Sequence, residues 1–253
     1  MSNKKRQFTL IGYPLSHSFS EKYFTEKFKK ENIPNHEYFL SPLERIEDFL
    51  KLLLTHPDLE GVNVTIPYKE KVLPFLDEIS VEAKAIGAVN TIKIKDGKLK
   101  GFNTDVYGFE KSLVDFLTKK EKQITVENAL VLGTGGAAKA VVFILKKLGI
   151  EPILVSRKKG KGDLTYDDLD TIIFEECRLI VNTTPLGMLP DLESCPNLPF
   201  HRINGKFYLY DLIYNPEKTV FLSRGESQGA AIKNGLEMLH LQAEKAWEIW
   251  NEE

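Results

Sequence analysis

The chain has 253 residues, of which 42% are hydrophobic and 28% are charged, and its formal net charge is −2. That length and composition suit a globular protein of two ordinary domains. The near-neutral charge argues against nucleic acid and anionic membranes as partners. The absence of a long apolar run predicts a cytoplasmic protein without a signal peptide or membrane span.

The cysteines and histidines do not form a recognisable metal-binding or disulfide pattern. Cys177 and Cys195 are the two cysteines, they lack a C-x-x-C spacing, and the five histidines are scattered along the chain. We therefore expect two reduced thiols and no bound metal.

The N-terminal part alternates short apolar strands with amphipathic helices. Strands are predicted at 8–11, 36–40 and 61–66, and helices at 18–31 and around 46–54. An Asp96-Gly97 pair then predicts a hairpin between a strand in 86–94 and a strand at 98–102. This alternation predicts an α/β domain.

Several polar residues stand where these elements begin or end. Ser18 and Ser20 lie at the start of the first helix, where they either cap it or grip a carboxylate. Lys69 follows the third strand, and it is either a solvated surface lysine or a ligand-binding residue, since ligands bind at the carboxyl ends of strands. Thr104 and Asp105 open the next helix, as caps or as functional groups.

A glycine-rich loop follows the charged segment 119–123. The strand at 129–132 runs into Gly133-Thr134-Gly135-Gly136-Ala137, and a helix is predicted at 137–148. Glycines at such a turn let the backbone approach a pyrophosphate, whose charge then lies against the N–H groups of the helix start. Close backbone packing is the alternative interpretation.

A basic segment, Arg157 to Lys161, follows the next predicted strand at 153–156. In nicotinamide dinucleotide domains this strand end carries an acid for the ribose of NAD or a basic group for the extra phosphate of NADP. The absence of an acid favours NADP, with a solvated basic loop as the alternative. Further strands are predicted at 179–182, 207–212 and 229–233, and a final helix at 235–250.

Seven motifs, in this order, resemble those of the shikimate dehydrogenase family over residues 12–250. They are Gly12-x-Pro14-x-x-His17-Ser18-x-Ser20, Asn63-Val64-Thr65-x-Pro67-x-Lys69, Gly87-Ala88-Val89-Asn90-Thr91, Asn103-Thr104-Asp105-x-x-Gly108, Gly133-x-Gly135-Gly136-Ala137, Asn182-Thr183-Thr184-Pro185-x-Gly187-Met188 and Gly235-Leu236-x-Met238-Leu239-x-x-Gln242.

The resemblance implies two α/β domains with different ligands. The first, 1–103 completed by 235–253, would be an N-terminal α/β substrate-binding domain. The second, 104–234, would be a Rossmann-type dinucleotide-binding domain that binds NADP, and the C-terminal helix would return to the first domain. The implied reaction is the reversible NADPH-dependent reduction of 3-dehydroshikimate to shikimate, in chorismate and aromatic amino acid biosynthesis.

The resemblance also implies residue roles. Lys69 and Asp105 would be the catalytic pair. The substrate carboxylate would bind Ser18, Ser20 and Tyr214, and the substrate hydroxyls would bind Thr65, Asn90 and Gln242. The phosphates would lie on Gly133, Thr134, Gly135, Gly136 and Ala137, the adenosine phosphate on Ser156, Arg157, Lys158 and Lys161, and the ribose and nicotinamide near Thr183, Leu212 and Gly235.

One region departs from the family pattern. The usual Asn-Arg-Thr is here Ser156-Arg157-Lys158, and the segment from there to Leu179 is short for a full crossover helix. Two alternatives stay open: a quinate/shikimate dehydrogenase with relaxed cofactor use, and a non-catalytic protein that binds a metabolite or a dinucleotide. The sequence leaves open whether the protein is a monomer or a homodimer, and which of Lys69 and Asp105 carries the proton.

Overall fold

The computed structural model describes residues 5–15, 18–119, 126–169 and 171–252. Contacts divide the chain into two compact units, Met1–Thr104 with Ala243–Glu253, and Asp105–Gln242. His17 of the first motif and residues 120–123 of the charged segment lie outside the described residues. Within the described ranges, no helix is long and apolar enough to cross a bilayer.

Over its described residues, the first unit holds a six-stranded mixed sheet. Its order is β2-β1-β3-β5-β6-β4, with β1 parallel to β2 and β3, and with β5 antiparallel to β3 and β6. The elements are β1 (Arg6–Gly12), α1 (Phe19–Lys30), β2 (His36–Pro42), α2 (Asp48–Thr55), β3 (Leu59–Val64), β4 (Glu78–Ile79), α3 (Val81–Ile86), β5 (Thr91–Lys95) and β6 (Lys98–Phe102).

In the described part of the second unit, six strands form an entirely parallel sheet in the order β12-β11-β10-β7-β8-β9. The strand order reverses between β7 and β10, which makes this the topological switch point where ligands bind in open α/β sheets. The elements are α4 (Asp105–Thr118), β7 (Asn128–Leu132), α5 (Gly136–Lys147), β8 (Glu151–Ser156), β9 (Leu164–Thr165), α6 (Thr171–Glu176), β10 (Cys177–Asn182), β11 (Tyr208–Asp211), α7 (Val220–Ser227) and β12 (Ala231–Lys233). The last helix, α8 (Leu236–Asn251), begins in the second unit and belongs to the first unit from Ala243 onward.

An aromatic core in the first unit joins the two ends of the chain. Trp250, near the end of α8, is 3% exposed, and its ring lies 4.7 Å from that of Phe8 and 5.4 Å from that of Phe24. Its indole N–H donates to the Ile92 carbonyl at 3.0 Å. A Cβ at Gly61 would lie 2.4 Å from the Trp250 ring, so β3 needs a glycine there.

The predicted α/β fold class is confirmed, while five short elements (β4, α3, β9, α6 and α7) were not predicted, β3 was predicted to end two residues too late, and β12 was predicted to start two residues too early. α3 has six residues, and both of its ends carry recognisable signals: Ser80 accepts from the Ala83 N–H, and Gly87 has a φ of 73°. β4 is a two-residue strand. β3 ends at Val64 instead of residue 66, where Ile66 is 75% exposed and precedes Pro67, which restricts its backbone.

Candidate active site

The carboxyl ends of β1 and β3 lie side by side, because Ile11 pairs in parallel with Val64. The Thr65 N–H donates to the Ile11 carbonyl at 2.9 Å. A Cβ at Gly12 would lie 2.4 Å from the Thr65 methyl group, so the glycine permits this close approach. Thr65, a predicted substrate residue, is thereby held at the sheet edge where ligands bind.

Lys69 lies in the turn that follows Thr65. The Tyr68 N–H donates to the Thr65 carbonyl at 2.9 Å, and the Lys69 carbonyl accepts from the Val89 N–H at 2.8 Å. Tyr68 is buried at 3% exposure, whereas Lys69 has intermediate exposure. The backbone of Lys69 is thus fixed to the segment that enters β5, and its side chain is not a fully solvated surface lysine.

Asn90, another predicted substrate residue, belongs to a buried chain of side-chain hydrogen bonds. Its amide oxygen accepts from the Thr104 N–H at 2.7 Å and from the Thr91 hydroxyl at 3.1 Å, and its amide N–H donates to the Thr104 hydroxyl at 3.0 Å. Asn63 donates to Thr91 at 3.2 Å, and Tyr38 donates to Asn63 at 2.8 Å. These bonds fix which end of each amide faces which neighbour.

The two predicted serines differ in their contacts. Ser18 caps α1, since its hydroxyl oxygen accepts from the Ser20 N–H at 3.2 Å, which confirms the capping interpretation for this residue. The cap uses a lone pair of Ser18 and does not consume its O–H. Ser20 lies in the first turn, and its hydroxyl hydrogen-bonds to that of buried Tyr38.

Helix α4 begins at Asp105, which is half-buried. The preceding Thr104 is 1% exposed, and its hydroxyl hydrogen-bonds to the Asn90 side chain. A carboxylate at a helix N-terminus is favoured by the partial positive charge of the helix dipole. Asp105 is therefore placed at the end of the helix that carries the positive end of the helix dipole.

In the second unit, β7 runs into a loop whose backbone requires glycine. Gly133 has a φ of 106°, and a Cβ there would lie 2.8 Å from the Thr183 hydroxyl oxygen. Gly135 is the N-cap residue of α5, so within the described segments no side-chain hydrogen bond caps this helix. Thr134, Gly136 and Ala137 are exposed. The helix start can therefore receive a phosphate.

A cleft of about 630 Å³ opens along the carboxyl edge of this sheet. Eight predicted cofactor residues line it: Gly133, Thr134, Gly135, Ser156, Arg157, Lys158, Lys161 and Thr183. Gly136, Ala137, Leu212 and Gly235, also predicted, are not among its lining residues. The sequence interpretation missed five others: Val155, Tyr166, Thr184, Pro185 and Leu186.

One end of the cleft carries basic side chains. Arg157, Lys158 and Lys161 are exposed on its wall, and the hydroxyl of buried Ser156 accepts from the Lys158 N–H at 3.2 Å. Tyr166 completes this end; burial raises the pKa of its hydroxyl, and the nearby Arg157 charge opposes that rise. No carboxylate belongs to the described lining, and this fits a ligand with an extra phosphate.

Leu212 and Gly235 are brought together. The Gly235 N–H donates to the Ile213 carbonyl at 3.1 Å, and a Cβ at Gly235 would lie 2.1 Å from the Leu212 carbonyl oxygen. Tyr214 follows this contact and is half-buried, and burial raises the pKa of its hydroxyl. The glycine thus allows the start of α8 to touch the segment after β11.

Gln242 projects from α8, which crosses α4 closely. A Cβ at Gly108 would lie 2.5 Å from the Met238 carbonyl oxygen and 3.1 Å from the Gln242 N–H. The Gln242 amide N–H donates to the Leu239 carbonyl at 2.9 Å. The glycine in the Asn103-Thr104-Asp105-x-x-Gly108 motif is therefore a packing residue between two helices.

Comparison with known proteins gives consistent matches. The family model of the shikimate dehydrogenase substrate-binding domain matches residues 10–92. The NADP(+) shikimate dehydrogenase of Carboxydothermus hydrogenoformans is 40% identical over 95% of this chain and 90% of its own length. That of Clostridium beijerinckii is 42% identical over 96% of this chain and 91% of its own length.

A solved structure supports the same likeness over both units. The shikimate 5-dehydrogenase of Thermus thermophilus, crystallised in complex with NADP(H) and shikimate, superposes with a TM-score of 0.82. It is 32% identical in sequence, and the match covers 97% of this chain and 93% of that protein.

Proposed function

Because the chain belongs to the shikimate dehydrogenase family, we propose that it catalyses the reversible reduction of 3-dehydroshikimate to shikimate with NADPH. The observation that carries this proposal is the cleft over the parallel sheet, with a glycine turn at its centre and basic side chains at one end. The step belongs to chorismate and aromatic amino acid biosynthesis. The enzyme is an oxidoreductase that acts on a CH–OH group.

NADP is the cofactor that these residues fit. The uncapped start of α5 suits the pyrophosphate, and Gly133 lets the backbone come close to it. The planar guanidinium of Arg157 suits the additional phosphate, to which Lys158 and Lys161 contribute point charges. NADP bound here would supply a hydride to the ketone or accept one from the alcohol.

Lys69 and Asp105 are the proposed catalytic residues. Hydride delivery to a ketone leaves negative charge on its oxygen, and an ammonium within hydrogen-bond reach stabilises that charge and donates a proton. Lys69 has this group, on a backbone that is fixed at the carboxyl end of β3. Asp105 is proposed to orient Lys69 and the reacting hydroxyl.

The remaining roles are proposals that follow the family pattern. Ser18, Ser20 and Tyr214 bind the substrate carboxylate, and Thr65, Asn90 and Gln242 bind its hydroxyls. We assign substrate binding to the first unit, completed by α8, and NADP binding to the second. We also propose a cytoplasmic enzyme that acts as a monomer or homodimer.

The deciding experiment follows absorbance at the reduced nicotinamide band with shikimate and NADP⁺ and, separately, with NAD⁺ and quinate. We expect turnover with shikimate and NADP⁺. Comparable turnover with quinate or NAD⁺ would favour the relaxed quinate/shikimate dehydrogenase. Binding of either ligand without turnover would contradict the catalytic assignment and favour a non-catalytic binding protein.

A further inference from the structure

A buried carboxylate lies beneath the cofactor cleft and has no role in the proposed function. Asp211 ends β11 and is 0% exposed. One of its oxygens accepts from the Thr219 hydroxyl at 2.6 Å. The other accepts from the Ile213 N–H and from the Asn182 side-chain amide, each at 3.1 Å. The carboxylate is therefore surrounded by three donors.

These donors come from three different segments of the second unit. Asn182 ends β10 and pairs directly with Asp211 in the sheet. Ile213 lies in the segment after β11, next to Leu212. Thr219 is the N-cap residue of α7, and its hydroxyl oxygen also accepts from the Leu222 N–H at 3.3 Å. The Asp211 side chain thus connects the ends of β10 and β11 to the start of α7.

The hydrogen bonds around Asp211 continue through Asn182 to Thr184, which lines the cleft. The Asn182 amide oxygen accepts from the Thr184 N–H at 3.0 Å and from the Thr184 hydroxyl at 2.6 Å. Residues 183–186 line the cleft. The orientation of the Asn182 amide is set because its N–H end faces Asp211, so its oxygen end must face Thr184. Asp211 is therefore connected to this wall through the Asn182 side chain.

The position of Asp211 in the sheet identifies which part of a dinucleotide this wall meets. The basic residues that suit the adenosine phosphate follow β8, whereas Asn182 and Asp211 end β10 and β11, on the opposite side of β7. A dinucleotide whose pyrophosphate lies at the start of α5 would extend from β8 across β7 toward β10. Its nicotinamide half would then meet residues 183–186.

Burying a carboxylate at this position is unfavourable in free energy, so we expect Asp211 to have a role other than packing. Burial raises the pKa of Asp211 to about 6, against the opposing effect of its three hydrogen bonds. An ionised carboxylate is the side chain that accepts from all three donors at once, since an amide of the same size must also present N–H groups. A neutral side chain of similar size would fill the same space without a buried charge.

We propose that Asp211 is a positioning residue, which fixes the 183–186 wall and the segment after β11 and thereby sets the affinity for the nicotinamide half of the cofactor. The proposal rests on the proposed function, because it takes NADP as the ligand. Asp211 itself acts through Asn182, Thr184 and Ile213 and does not touch the ligand.

The test separates the two halves of the cofactor by calorimetry. NADP⁺ probes both halves, and adenosine 2′,5′-bisphosphate probes the adenosine end alone. Asp211→Asn should weaken NADP⁺ binding about tenfold, because it replaces an accepting oxygen with N–H donors, and this should lower kcat as well. Binding of the bisphosphate should stay within about twofold of the wild type.

A second pair of variants keeps the test valid if Asp211→Asn does not fold. Thr219→Val removes one donor and should weaken NADP⁺ selectively, whereas Thr219→Ser keeps the hydroxyl and should restore binding. Ser112→Ala is the control for losing a buried hydroxyl in the same unit, since Ser112 is 0% exposed and bonds to Tyr210 away from the cleft lining. It should change neither affinity.

Either of two results would overturn this inference and leave the proposed function intact. Equal weakening of both ligands would show a merely structural role, and unchanged NADP⁺ affinity in both Asp211→Asn and Thr219→Val would show no role in binding. A wild-type protein that binds neither ligand would overturn both the inference and the proposed function.

Discussion

The two units hold their predicted ligand residues in contrasting ways. In the first unit, Asn90 is oriented by a chain of buried side chains that runs through Thr91 and Asn63 to Tyr38. In the second unit, the centre of the cleft is backbone: Gly133 turns at a φ of 106°, and Gly135 opens α5 without a side-chain cap. In the first unit, side-chain hydrogen bonds orient a predicted substrate residue. In the second unit, main-chain geometry shapes the centre of the cofactor cleft.

The contrast matches what each surface has to distinguish. A ring that carries several hydroxyls is recognised by individually oriented donors and acceptors, so a buried network that fixes amide orientation favours selectivity. A pyrophosphate is a compact anion that backbone N–H groups and a helix N-terminus bind without side-chain specificity. Selectivity in the second unit then depends on its exposed basic end.

The largest effect is expected at the residue proposed to carry out the chemistry. Lys69→Ala should lower kcat by about a hundredfold or more with little change in shikimate binding, because it removes a general acid. Lys71→Ala is the matched control, an exposed lysine two residues away whose ammonium lies over the Tyr68 ring. An unchanged kcat with a raised KM would contradict the catalytic role.

The second prediction tests whether selectivity in the cofactor unit depends on its side chains. Arg157→Ala should lower the ratio of kcat/KM for NADP⁺ to that for NAD⁺ by about thirtyfold, because a charge-assisted contact to the extra phosphate is lost. Lys159→Ala, in the same loop but outside the cleft lining, should leave the ratio unchanged. Equal kcat/KM values for the two cofactors in the wild type would refute the NADP preference.

The third prediction tests the backbone centre of the same cleft. Gly133→Ala should weaken NADP⁺ binding about tenfold, because it adds strain at positive φ and pushes a methyl group against Thr183. Gly149→Ala is the control: its φ of 75° imposes a similar strain, but open space surrounds the new methyl group. Calorimetric titration of both variants measures the difference, and equal affinities would show that the close approach at Gly133 is dispensable.

The smallest effect is expected from the network in the first unit. Thr91→Val keeps the shape but removes the hydroxyl between Asn63 and Asn90, and it should destabilise the fold by about 1–2 kcal/mol and raise the shikimate KM about threefold. Thr9→Val removes another fully buried hydroxyl, which donates to Phe39 in the same sheet. It should cost similar stability in a denaturation experiment and leave KM unchanged. A raised shikimate KM in both variants would show that the effect on substrate binding is not specific to the network around Asn90.

The sequence predicted what depends on local pattern. Helical spacing and strand runs located the main elements, the Asp96-Gly97 hairpin joins β5 to β6 as predicted, and eight of the predicted cofactor residues line the cleft. These features follow from backbone propensity and from glycine positions, and both are visible in a short window of sequence.

The network around Asn90 could not be predicted, because its members are separated along the chain and their pairing depends on strand register. Tyr38 lies in β2, Asn63 in β3 and Thr91 in β5, and nothing in their local sequence marks them as partners. Tyr166 was missed for a related reason: it follows the short strand β9, and that strand brings it back to the cleft. The domain limits and individual site roles taken from the family pattern stay predictions.

The position of Trp250 has a consequence for the order in which the protein is made. Its ring occupies the space left by Gly61 and its indole N–H donates to the Ile92 carbonyl, so the core of the first unit contains a residue that is synthesised after all of residues 105–242. Residues 105–242 emerge before that residue does, and a domain folds once its whole sequence has emerged. The first unit is therefore completed after the second. Translation that stops before Trp250 would leave the first unit without its core tryptophan.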